Sequence, residues 1–131
     1  MRKTFLRIGA LVAMAAVILG AFGAHSLEEV IEPERLATYD IGVRYQFYHA
    51  FALIATGVLL YFGKKNFLQY AGWLFAAGIV LFSGSLYLLS LQDVIDIPTA
   101  ILGPITPIGG LLFIAGWILF FLGTFPHHHR K

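Results

Sequence analysis

No cysteine occurs anywhere in the 131 residues, so disulfides, thiolate-bound zinc and iron–sulfur clusters are excluded. Charge is scarce too: Asp, Glu, Lys and Arg together make up 12% of the chain, against about 25% in a soluble domain. A formal charge of +2 gives no basic field of the kind that nucleic acid requires, and no nucleic-acid partner is expected. HExxH, a Walker-type glycine loop and a Ser-His-acid arrangement are all missing, which leaves no catalytic motif to follow. No internal repeat is visible.

What fills the chain instead is hydrocarbon. Hydrophobic residues make up 59% of it, and the mean hydropathy is +0.80. Four apolar segments, about 5–24, 45–62, 67–90 and 108–125, each approach the roughly 20 residues needed to cross a bilayer core as a helix. They are continuously apolar rather than alternating, which favours helices over barrel strands. The expected fold is all-α: a four-transmembrane-helix bundle forming one integral membrane domain over 1–131.

Polar punctuation separates the segments: an acidic stretch over 25–44, a tight turn at Gly63-Lys64-Lys65-Asn66, and a loop over 92–107 containing Pro98, Pro104 and Pro107. In the first loop, Ser26 and Glu29 have capping-box spacing, and Leu36, Tyr39, Val43 and Phe47 recur at helical spacing. A short amphipathic helix over 34–44, bending at Gly42 into the second span, is expected there. The alternative is a solvated connector.

Orientation follows from the basic residues. Summed over alternate segments, Lys and Arg number seven on one side and two on the other, and all seven acids fall on the poorer side. The positive-inside rule then places both termini in the cytoplasm. The basic start and the small residues near Ala21 and Gly23 also resemble a signal peptide, but the apolar stretch exceeds the roughly 7 to 15 residues of an h-region. Gly9, Ala13, Ala16, Gly20 and Gly23 draw a stripe of small residues along one face of this helix. Such a stripe lets a neighbouring backbone approach closely, as expected of a span that stays. Gly109, Gly116 and Gly123 give the last span a similar packing face.

This topology brings polar groups from all four spans to one outer level: His25, then Tyr45, Gln46 and His49, then Ser83, Ser85 and Tyr87, then Thr106. Tyr45, His49 and Thr56 share a helical face, so His49 is expected to look into the bundle. Two roles compete for this level. Its members can staple helices by hydrogen bonds, with Ser83, Ser85 or Tyr87 as partners of a neutral His49, or they can line a pocket for a lipid or small molecule. His25 and His49 lack a third ligand or diagnostic spacing for metal or haem, and no metal or cofactor is expected. The terminal His127, His128 and His129 could bind a transition metal only weakly. Tyr61, Tyr70 and Trp73 suit the cytoplasmic interface, whereas Trp117 falls mid-span and reads as a packing residue.

The stretches GAFGAHSL (20–27), YDIGVRYQFYHAFAL (39–53), FSGSLYLL (82–89) and GPITPIGGLLFIAGW (103–117) together resemble the YgdD-like family of small four-helix membrane proteins. The resemblance implies an uncleaved first span and, for a bacterial source, the cytoplasmic membrane. It implies no reaction and no catalytic residues. The function expected from all this is a non-enzymatic membrane protein supporting membrane integrity or membrane-protein assembly, with membrane lipids, further copies of itself or other membrane proteins as partners. The alternatives are a lipid or small-molecule binder or transporter using the outer polar level and, further off, a haem- or metal-binding protein.

Overall fold

The computed structural model describes residues 1–126. The His127–His129 stretch, from which only weak metal binding is expected, lies outside them. Five α-helices follow in order: α1 (Arg2–His25), α2 (Pro33–Leu59), α3 (Lys65–Gly78), α4 (Gly84–Ser90) and α5 (Thr99–Gly123). A 3-10 turn, Leu27–Glu29, follows α1, and a π-helical segment, Ile79–Ser83, joins α3 to α4. The all-helical expectation holds. Three helical stretches are long and apolar enough to cross a membrane: Arg2–Glu29, Lys65–Ser90 and Thr99–Gly123.

Three expectations need correction. The separate amphipathic helix is absent: residues 34–44 form the first turns of an unbroken α2, because Gly42 keeps helical geometry where Ser83 and Tyr87 pack against it. The Ser26–Glu29 capping box does not form. Ser26 makes no side-chain cap, and the next helix starts instead at Pro33, whose missing N–H is harmless at a first helical position. The last helix begins at Thr99 rather than near residue 108, with Pro104 and Pro107 inside it. A proline ring crowds the backbone carbonyl four residues earlier and supplies no N–H, yet α5 runs through both prolines.

The helices stand in sequence order. α1 packs on α2, α2 on the α3–π–α4 rod, and that rod on α5. Small residues set the approach of α1. Gly9, Ala16 and Gly23 are buried, whereas Ala13 and Gly20 of the same stripe are half-buried. A Cβ on Gly9 would lie 2.9 Å from the Ala50 carbonyl oxygen, so only hydrogen fits. On the other flank, Gly109 packs against the Phe82 backbone, Gly116 against the Phe75 ring and Gly123 against Leu68. One apolar core, with Phe5, Leu53, Leu68, Phe75 and Phe113, fills the half of the bundle that holds the chain start. A smaller one, with Leu27, Ile31, Tyr39 and Val43, fills the other.

Candidate functional site

The predicted polar level divides into two groups. The first braces α1, α2 and the α3–α4 rod. Gln46, buried on α2, donates from Nε2 to the Val12 carbonyl of α1 at 2.9 Å, and its Oε1 accepts the Tyr87 hydroxyl of α4. One amide therefore joins three elements. Ser83, at the end of the π segment, donates to the Gly42 carbonyl at 2.7 Å. Tyr39 donates to the Leu19 carbonyl. Ser85 bonds the Phe82 carbonyl and the Thr106 hydroxyl, tying α4 to α5.

The second group is centred on His49, which is buried. Its partner is none of the predicted hydroxyls. Nε2 accepts the Trp117 indole N–H at 3.1 Å, and Nδ1 lies 2.7 Å from the Tyr45 carbonyl. An indole can only donate and a carbonyl can only accept, so Nδ1 carries the proton, Nε2 is bare and the ring is neutral. Phe113 stacks on the imidazole with centroids 3.5 Å apart and planes 9° from parallel. His49 thus links α2 to α5, two helices that scarcely touch elsewhere. Beside it a cleft of about 570 Å³ opens on the flank of the bundle, walled by Tyr45, Phe82, Phe113, Trp117 and Leu111.

Placement of the predicted residues is therefore uneven. Gln46, Ser83, Ser85, Tyr87 and Thr106 join the bracing group, and His49 faces inward. Tyr45 stands at the mouth of the cleft, 39% exposed. His25 is exposed at the end of α1 and joins neither group. Sequence reasoning missed Trp117 as the partner of His49. The signal was its depth: an indole N–H far from either interface must find an acceptor inside the protein. It also missed the Val12, Leu19 and Gly42 carbonyls, for which no signal exists, since every residue carries a carbonyl. The π segment was equally invisible, although π turns recur where a helix is locally re-aimed. Here the segment places Ser83 against α2 and the Phe82 backbone against Gly109.

Apolar helices cross-braced through side-chain-to-carbonyl bonds define a helical membrane protein. The family profile described as "Protein of unknown function (DUF423)" matches residues 19–110, and the chain belongs to that family. It is 46% identical over 123 residues to a UPF0382 membrane protein of Staphylococcus haemolyticus, covering 94% of this chain and 96% of the relative. Against one of Staphylococcus aureus the identity is 47% over 123 residues, with 94% and 96% covered. The UPF0382 membrane protein YwdK of Bacillus subtilis is 47% identical over 118 residues, with 89% and 92% covered. These relatives are bacterial membrane proteins, and the names they carry are UPF0382 rather than YgdD-like. No solved structure matches the chain.

Proposed function

We propose that the protein is a four-span, non-enzymatic component of the bacterial cytoplasmic membrane, with both termini in the cytoplasm, that supports membrane integrity or the assembly of other membrane proteins through helix packing and lipid contact. The observation that carries the non-enzymatic reading is the commitment of the outer polar level. Gln46, His49, Ser83, Ser85 and Tyr87 are consumed by bonds within the chain, and among the described residues no buried side-chain nitrogen or oxygen lacks a partner. A polar ligand at that level would be left with little beyond the Tyr45 hydroxyl at the mouth of the cleft.

For α2 as the fourth span, the support is length and charge placement. Its 27 residues amount to about 40 Å at 1.5 Å per residue, of which the uncharged stretch 45–59 covers about 22 Å of the roughly 30 Å hydrocarbon core and the residues around Asp40 and Arg44 must reach the interface. Its charges, Glu34, Arg35, Asp40 and Arg44, are confined to the first half. Gln46 and His49 lower its hydropathy but are buried against neighbouring helices, where lipid does not meet them. The close fit of Gly9, Ala16 and Gly23 against α2 supports α1 as a retained span.

Single cysteines at Thr4, Glu32, Asn66 and Asp93, in a chain with none of its own, test the topology with an impermeant thiol reagent on intact cells. Labelling at 32 and 93 only is expected; labelling at 4 or 66 contradicts it. For the role, a deletion strain complemented with His49→Gln should keep its phenotype, since an amide still accepts the Trp117 N–H. Loss of phenotype with normal abundance and stability would turn the reading toward a ligand.

A further inference from the structure

We infer that the bundle end formed by the start of α1, the end of α2 and the start of α3 is a binding site for the phosphate of an anionic glycerophospholipid. A recess of about 340 Å³ is lined there by Arg2, Lys65 and Gln69 above Leu60. Lys65 and Gln69 are one turn apart on α3 and so present an ammonium and an amide donor on one side. Arg2 is fixed from two directions. Its guanidinium lies over the Tyr61 ring, 4.1 Å from the centroid, and its carbonyl oxygen would be 2.9 Å from a Cβ on Gly57. Stacking uses the face of the guanidinium and leaves its N–H edge for a phosphate oxygen.

The recess has no counter-ion of its own. All seven acids of the chain lie between 28 and 40 or at 93 and 96, at the opposite end of the bundle, and the one ion pair among the described residues is Arg35–Asp93. Two cations facing one hollow without a carboxylate favour an anion. A lipid is favoured over a free anion by the adjoining surface. Leu60 and Lys65 also line a second hollow of about 750 Å³ whose walls include Tyr61, Phe62 and Phe67, with Phe62 75% exposed. Headgroup recess and apolar wall are continuous. The inference extends the lipid contacts of the proposed function but does not depend on which side of the membrane this end faces.

The full chain in mild detergent, titrated by native mass spectrometry with phosphatidylglycerol and with phosphatidylcholine of the same acyl chains, tests it. Phosphatidylglycerol should bind about tenfold tighter, and the Arg2→Gln/Lys65→Gln pair should lose about tenfold or more of that affinity. The charge-keeping Arg2→Lys/Lys65→Arg pair should restore most of it, which separates charge from folding. Arg7→Gln, exposed and outside the recess, should change nothing. Equal binding of the two lipids, or an unaffected Arg2→Gln/Lys65→Gln pair, overturns the site. Displacement of the lipid by millimolar inorganic phosphate would make it a site for a free anion and overturn the lipid assignment.

Discussion

The two halves of the bundle are held together by different chemistry. In the half containing the start of α1, glycines admit large side chains: Gly72 admits the Phe5 ring, Gly78 the Phe113 ring, Gly116 the Phe75 ring and Gly57 the Leu6 side chain. Shape sets most of the register there, helped by the Lys64 N–H donating to the Gly123 carbonyl and by the His49–Trp117 bond beside Phe75 and Phe113. In the other half, Gln46, Tyr39, Ser83 and Ser85 reach carbonyls or hydroxyls of neighbouring elements. Lipid removes the hydrophobic drive that would order soluble helices, so packing and hydrogen bonding are the means left. Glycine packing runs through both halves, with Gly23 against Tyr39, Gly42 against Tyr87 and Gly109 against Phe82 in the second, and most of the side-chain bonding is added there. The difference predicts that the first half fails mainly through added volume and the second through added volume or a stranded partner.

Overfilling should give the largest loss. A Cβ on Gly109 would run into the backbone nitrogen of Phe82, which no rotamer change can relieve. Gly109→Ala should therefore cost about 3 kcal/mol, the upper end for overpacking, read as thermal unfolding in mild detergent. Gly84→Ala and Gly103→Ala, where a Cβ meets open space, should leave the melting temperature unchanged or slightly raised. Equal losses at all three positions would erase the distinction between packed and free glycines.

Gln46→Leu should come next, at about 1–3 kcal/mol, because it strands the Tyr87 hydroxyl and frees the Val12 carbonyl. Adding Tyr87→Phe to that variant should recover part of the loss. A purely additive double variant would mean that the two side chains do not share a bond in the membrane.

Within the α1 stripe the effect should depend on position. Gly23→Ala pushes a methyl into the Tyr39 ring, whereas a Cβ on Gly20 meets Val43 at an ordinary 3.4 Å. Gly23→Ala should cost on the order of 1 kcal/mol and Gly20→Ala almost nothing. The smallest effect is expected at the surface. Arg35 Nε and Asp93 Oδ2 are 2.9 Å apart but exposed, so Asp93→Asn should change stability by about 0.5 kcal/mol or less, and less still at high salt.

Much of the helical content was legible because apolar runs of span length permit little else in lipid. Of the stripe of small residues, Gly9, Ala16 and Gly23 are buried and Ala13 and Gly20 half-buried, since helical periodicity fixes which positions share a face but not how closely each is approached. Helix ends were less legible. Pro104 and Pro107 are ordinarily read as loop residues, because each removes a helical N–H and crowds a carbonyl, yet both stand inside α5. The polar residues of the spans were found by their rarity in an apolar chain, yet their partners were not, because backbone carbonyls leave no trace in a sequence. His49 was found as an inward residue and given the wrong partners: a serine or tyrosine hydroxyl looks the better match by chemistry, but the Trp117 indole is the one within reach.

The measurement that bears most directly on the central claim, that the buried polar residues hold helices together, is a double-mutant cycle of His49→Leu and Trp117→Phe by thermal unfolding in mild detergent. His49→Leu strands the indole N–H, and Trp117→Phe removes that donor and leaves Nε2 bare. The pair should be less destabilised than the sum of the singles, with a coupling of about 0.6 kcal/mol and no more than about 1.7 kcal/mol, the mean and the largest value for hydrogen bonds between membrane helices. A coupling of zero, with both singles as stable as the parent, would contradict the account and leave His49 without a structural role.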